Sequence, residues 1–139
     1  MSDLIADLRT QHYDQPAMDK AHHRFTALLG ALPLATKQAI PALLASLRRE
    51  VIDHFDQEER FMQMTGYERY DAHREQHQLF LKQLDEYQNV LESGGADIQK
   101  VHWSLCQWQH DHEKIWDEPL ASFLNYNASW HPHHIEEAS

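Results

Sequence analysis

The chain has 139 residues, of which 42% are hydrophobic, and 12 Lys and Arg against 22 Asp and Glu give a formal net charge of −10. This length suits one domain with one core, and the composition is typical of a globular protein rather than a disordered or fibrous one. The negative charge would repel phosphate backbones and anionic lipid surfaces. We therefore expect neither nucleic acid nor a membrane as a partner.

The sequence also indicates a compartment. The longest mostly apolar stretch, residues 39–47, is far shorter than the roughly 20 apolar residues that cross a bilayer. The first ten residues are acidic and lack the basic and then apolar layout of a secretory signal. Cys106 is the single cysteine, so no disulfide can form within the chain. These features predict a cytoplasmic protein.

Apolar periodicity predicts two helices in the first half of the chain. The first runs over residues 17–32 and ends before Pro33. The second runs over residues 40–64, with Pro41 in its first turn, where the missing N–H costs little. Gly66 is expected to end this helix as a left-handed cap.

Two further helices are expected in the second half. The third covers residues 67–91, with Leu79 and Phe80 on its apolar stripe, and Ser-Gly-Gly closes it. Asp97 can cap a fourth helix. Its predicted stripe consists of Val101, Leu105, Trp108 and Ile115. Pro119 lies inside the continuing pattern and predicts a kink or a restart.

No strand pattern interrupts this order, so the sequence predicts an all-α protein. Four helices joined by short connections favour an antiparallel up-down-up-down bundle. We assign the bundle to residues 1–126 and a polar tail to residues 127–139. The tail contains His131, His133 and His134, which we expect to be solvated rather than to form a binding site.

The most unusual feature of the composition is 12 His beside many carboxylates, a set that favours metal binding. Helix two carries His54 and Glu58, and helix three carries His73 and His77, each pair four residues apart. A spacing of four returns to nearly the same helix face, so each pair projects from one side. Because a short turn joins these helices, antiparallel packing brings the two pairs to matching depth.

Other candidate ligands lie on helices one and four. His22 is on the apolar side of helix one. On helix four, His112 and Asp117 are five residues apart, a rotation of about 140°, so they do not share a face. His110 and Asp117 are seven apart and align within about 20°. Local geometry slightly prefers His110, and helical arithmetic leaves the choice open.

Four motifs together suggest a family. Residues 54–62 read HFxxEExxM, residues 73–77 read HxxxH, and residues 108–117 read WxxxHxxxxD. Ahead of them, residues 19–22 read DxxH. Over about residues 17–125 the pattern resembles the hemerythrin family, specifically its single-domain bacteriohemerythrins.

The resemblance implies a four-helix bundle around two non-heme iron ions with an oxo or hydroxo bridge. The implied ligands of one iron are His73, His77 and His112, those of the other are His22 and His54, and both irons share Glu58 and Asp117. The match favours His112 over His110, and the DxxH register favours His22 over its rival His23. The implied function is dioxygen binding at one open iron position, for storage, delivery or sensing, without a catalytic residue.

The chain departs from the family at the implied oxygen pocket, whose other expected walls are Phe25, Phe55 and Trp108. Gln109 and Glu113 stand where the family usually has Leu and Ile. An inward Glu113 could ligate the open iron, position a water or donate a proton. It therefore supports an alternative, a di-iron enzyme acting on peroxide or another small oxidant. A slightly rotated helix would instead turn Glu113 toward solvent.

Overall fold

The computed structural model describes residues 15–95 and 97–130, with side chains described as far as residue 126. In chain order its helices are α1 (Pro16–Ala31), α2 (Ile40–Thr65), α3 (Tyr70–Glu92), α4 (Ile98–His112) and α5 (Glu118–Trp130). A short 3-10 turn, Leu32–Leu34, follows α1, and a π-helical turn, Glu113–Asp117, joins α4 to α5. Since α4, the π turn and α5 form one rod, the described residues form four helical rods without a strand. The predicted all-α four-helix bundle is confirmed.

The helix ends follow the local chemistry of the sequence. A proline occupies the first turn of both α1 and α2. Gly66 ends α2 in the left-handed conformation, with φ 66° and ψ 38°, which glycine adopts without a Cβ penalty. The Asp97 carboxylate accepts a hydrogen bond from the N–H of Gln99 at 2.9 Å and so caps α4.

The predicted start of α3 is wrong by three residues, since the helix begins at Tyr70 and not at residue 67. Tyr67, Glu68 and Arg69 form a turn, closed by a 3.2 Å hydrogen bond from the N–H of Tyr70 to the carbonyl of Tyr67. The left-handed Gly66 alone does not reverse the chain, so these residues complete the reversal before α3 begins.

The irregularity predicted at Pro119 lies in the residues just before it. The N–H of Glu118 reaches back five residues to the carbonyl of Glu113, as in a π helix. Proline has no N–H to offer the carbonyl of Ile115, and the wide turn ends just before it. The turn also rotates the helix faces, so Ile115, predicted to be core, is 55% exposed.

Two apolar clusters pack inside the bundle, with a buried polar layer between them. The cluster toward the α1–α2 connection contains Phe25, Leu29, Leu32, Leu44, Leu47, Val51, Phe55, Phe80, Leu84, Val101, Leu105 and Cys106. The cluster toward Gly66 contains Met18, Phe61, Met62, Leu120, Ala121 and Leu124. Leu79 was predicted on the apolar stripe of α3, but it is 54% exposed, because its neighbour Phe80 points into the core instead.

Helix α5 is described over Glu118–Trp130. The division between bundle and tail after residue 126 stays a prediction. The tail histidines His131, His133 and His134 lie outside the described residues. Among the helices that the structure describes, none combines the length and apolar character needed to cross a membrane.

Candidate metal centre

Seven polar side chains from all four rods meet in the layer between the apolar clusters. Six of them are buried, and His54 keeps 11% of its side chain exposed. They are the seven residues predicted as ligands: His22, His54, Glu58, His73, His77, His112 and Asp117.

The Glu58 carboxylate reaches imidazoles on two sides. Its Oε1 lies 3.3 Å from Nε2 of His73 and 3.1 Å from Nε2 of His77. Its Oε2 lies 2.8 Å from Nε2 of His54. One carboxylate thus faces two separate sets of nitrogen donors.

Asp117 divides its oxygens in the same way. Oδ1 lies 3.0 Å from Nε2 of His73 and 3.1 Å from Nε2 of His112, while Oδ2 lies 2.9 Å from Nε2 of His22. The donor atoms therefore form two groups that share both carboxylates, and within each group all donor atoms lie within 4.8 Å of one another. We call His73, His77 and His112 the three-histidine side, and His22 and His54 the two-histidine side.

Several donor atoms in this layer have no hydrogen-bond partner among the described residues. They include both carboxylate oxygens of Glu58 and the Nε2 atoms of His54 and His77. Glu58 lies within 2.8–3.3 Å of three imidazole nitrogens, yet none of these contacts is a hydrogen bond. A buried carboxylate without partners is costly, and a cation placed between these nitrogen and oxygen donors would satisfy them. The cluster therefore fits a metal site.

The structure also separates the rival histidines. His112 lies inside the layer, whereas His110 keeps 27% of its side chain exposed and faces Asp111. The π turn is the reason: its wider turn brings positions five apart onto one face, and so places His112 rather than His110 beside Asp117, a choice that helical arithmetic had left open. On α1, His22 is buried and His23 is exposed.

Comparison with known proteins agrees with this geometry. The family model described as the hemerythrin HHE cation binding domain matches residues 15–137. The chain belongs to the hemerythrin family. The resemblance read from the motifs is thereby confirmed.

Curated relatives of this hemerythrin chain carry the name bacteriohemerythrin. One from Stenotrophomonas maltophilia is 26% identical over 122 residues, covering 82% of this chain and 80% of the relative. One from Pseudomonas paraeruginosa and one from Pseudomonas aeruginosa are each 27% identical over 116 residues, covering 81% of this chain and 76% of the relative. No solved structure matches the chain significantly.

In the donor layer, the negative charge of the carboxylates is balanced by the imidazoles beside them. Burial and the nearby Asp117 carboxylate would raise the pKa of Glu58, but His54 and His73 hold it well below its ordinary value. Burial likewise opposes charge on His22 and His73, yet hydrogen bonds to Asp117 raise the pKa of each to about 9. The carboxylates are thus ionised at neutral pH, the state in which they bind cations.

Aromatic rings and one outer carboxylate support the three-histidine side. The His77 ring stacks on Phe55 with centroids 3.7 Å apart, and the His112 ring stacks on Trp108 at 4.5 Å. Nδ1 of His77 donates to Oε2 of Glu59 at 2.9 Å, an outer contact that orients the ring. Sequence reasoning gave Glu59 no role, although its place directly after Glu58 in the motif was a usable signal.

A cavity of about 20 Å³ adjoins both imidazoles of the two-histidine side, His22 and His54, and one imidazole of the three-histidine side, His112. All five residues predicted for the oxygen pocket line it, together with donor residues of the layer. These five are Phe25, Phe55, Trp108, Gln109 and Glu113.

The structure turns Glu113 inward, so the interpretation that a rotated helix exposes it is wrong. Its relative exposure is 1%. Its Oε2 accepts a hydrogen bond from the Gln109 amide, and its Oε1 lies 3.7 Å from Nδ1 of His22. Burial raises the pKa of Glu113 to about 7. A second residue that sequence reasoning missed, Thr26, also accepts from Gln109, at 3.0 Å.

Proposed function

We propose that this protein is a non-heme di-iron protein that binds dioxygen at one open iron position, for oxygen storage, delivery or sensing. His73, His77 and His112 would hold one iron, and His22 and His54 the other. Glu58 and Asp117 would bridge the two, with an oxo or hydroxo group as a further bridge. Two such irons supply the pair of electrons that reversible dioxygen uptake requires.

One observation carries the proposal: the cavity adjoins both imidazoles of the side that has one imidazole fewer, and only His112 of the other side. Both sides share the same two carboxylates, so they differ by a single nitrogen donor. A volume of about 20 Å³ holds about one water-sized molecule, for which about 10–15 Å³ suffices. A missing donor beside a space of this size favours a small external ligand and excludes a bulky substrate.

The walls of the cavity support the same function. Phe25 and Phe55 are buried and Trp108 is partly buried, and together they form an apolar surface beside the donor layer. Apolar walls limit the access of water to a metal position. The chain's own residues would thus hold the cations, leave one position free and keep that position dry on its apolar side.

The proposal extends to location and partners. The net charge of −10 disfavours binding to nucleic acid or to an anionic membrane surface. Together with the single buried Cys106, it supports a cytoplasmic protein whose partner at the cavity is dioxygen.

The test is an iron assay followed by an oxygenation spectrum, with two histidines of the same helix as a matched pair. We expect about two irons per chain and an absorption change of the reduced protein in air that reverses on degassing. His112→Ala should lose iron, while His110→Ala should keep it, because only His112 faces the layer. A single zinc at full occupancy, or no response to air, would contradict the proposal.

The buried Glu113 favours a second candidate, a di-iron enzyme acting on peroxide or another small oxidant. A carboxylate in the cavity can exchange protons with a ligand there, which an apolar Leu or Ile cannot. In that case the absorption change in air would persist after degassing. Glu113→Ile would make it reversible again.

A further inference from the structure

The polar end of the cavity is a hydrogen-bond chain with a defined direction. The hydroxyl of Thr26 donates to the carbonyl of His22 at 2.9 Å, so its oxygen is available as an acceptor. The Gln109 amide nitrogen donates to that oxygen at 3.0 Å and also to Oε2 of Glu113. Both amide hydrogens of Gln109 are therefore engaged, and its orientation is set.

These hydrogen bonds leave two acceptor oxygens at the cavity without a partner. Oε1 of Gln109 and Oε1 of Glu113 are buried and have no hydrogen-bond partner among the described residues. Each residue is only 1% exposed, and both line the cavity. The Nδ1 atom of His22, 3.7 Å from Oε1 of Glu113, is beyond hydrogen-bond distance.

Two unpartnered acceptors call for a ligand that donates hydrogen bonds. Dioxygen has no hydrogen to donate, so it leaves both oxygens unsatisfied. Hydrogen peroxide has two O–H donors on two heavy atoms, and it is small enough for a cavity of about 20 Å³.

We propose that Gln109 and Glu113 give this cavity a binding site for hydrogen peroxide, in addition to dioxygen. The inference rests on the proposed function in one respect, that cations occupy the donor layer beside the cavity. Gln109 and Glu113 are then the residues that determine which small ligands the cavity holds.

The experiment measures binding without turnover. Hydrogen peroxide is titrated by calorimetry into the full chain loaded with zinc. Zinc is redox-inactive and, like iron, binds nitrogen and oxygen donors. Wild type should bind about one peroxide per chain. Gln109→Leu should weaken binding about fivefold, as expected for the loss of one hydrogen bond.

Glu113→Gln is the variant that preserves shape. Because the Gln109 amide donates toward this position, the new side chain must turn its oxygen to Gln109 and its NH₂ group into the cavity. The cavity then has a donor in place of an acceptor, and peroxide binding should again fall about fivefold. Glu118→Gln is the matched control, since Glu118 is exposed on the same rod, and its affinity should equal that of wild type.

Absence of peroxide binding to wild type, or equal affinity in Glu113→Gln and wild type, would overturn the inference. The zinc titration needs neither iron nor dioxygen, so its failure is distinguishable from a failure of the proposed function. Conversely, a chain that binds peroxide with zinc but shows no response to air with iron would keep this inference and lose the dioxygen proposal.

Discussion

The two sides of the donor layer share Glu58 and Asp117 but differ in what surrounds them. On the three-histidine side, aromatic rings cover His77 and His112, and Glu59 fixes His77 from outside. On the two-histidine side the rings of His22 and His54 pack edge to face, and the cavity adjoins them. Common ligands therefore do not make equivalent sites: the packing around each side decides which one can accept an external ligand.

The largest expected effect comes from a residue that both sides share. Glu58→Gln removes the negative charge but keeps the shape, and it weakens both cation positions at once. We expect metal content to fall from about two ions per chain to less than one, measured by elemental analysis after gel filtration. Glu75→Gln, an exposed change on α3, is the control and should retain both ions. Full metal content in Glu58→Gln would show that this carboxylate does not bridge.

A pair of substitutions separates the sides. His22→Leu leaves one imidazole on the two-histidine side, so we expect one metal ion per chain and no spectral response to air. His77→Leu leaves two imidazoles on the three-histidine side, and most of the metal should remain, with lower affinity. Elemental analysis of both variants shows directly which one retains more metal. More metal in His22→Leu than in His77→Leu would mean that the cavity lies beside the site with the higher metal affinity.

The smallest effect is expected at the outer contact of His77. Glu59→Gln weakens the acceptor of the Nδ1 hydrogen bond, and such outer partners are typically worth about tenfold or more in metal affinity. Competition with a chelator should show this loss for one of the two ions. Arg74→Gln is the control, because Arg74 only approaches Glu59 at the surface, at 3.7 Å. Equal affinities in Glu59→Gln and wild type would leave Glu59 without a role in orienting the ring.

Several features of this protein followed from local sequence alone. Helix α2 begins and ends as predicted to within one residue, because Pro41 and Gly66 act through their own backbone preferences. The pairs His54 with Glu58 and His73 with His77 project together because a spacing of four is a local property of any α helix. Asp97 caps α4 for a similarly local reason.

Other predictions failed where a residue's direction depended on a departure from regular geometry. The turn at residues 67–69 delayed α3, and no pattern in the apolar residues marked it. The π turn moved Ile115 outward and brought His112 to Asp117, although Pro119 had signalled an irregularity nearby. From spacing alone His110 was the better partner, and the family resemblance favoured His112 by pattern rather than by geometry.

The sequence by itself determined four amphipathic helices, the caps at Gly66 and Asp97, and the pairs His54 with Glu58 and His73 with His77, since these depend on interactions within a few residues. Only the tertiary structure decided that both carboxylates face two sets of imidazoles, that Glu113 points inward and that the cavity adjoins the two-histidine side. Those outcomes depend on how four rods rotate and pack against one another, and on one wide turn in the last of them. Rotation about a helix axis has no local signal, because the packed neighbours set it.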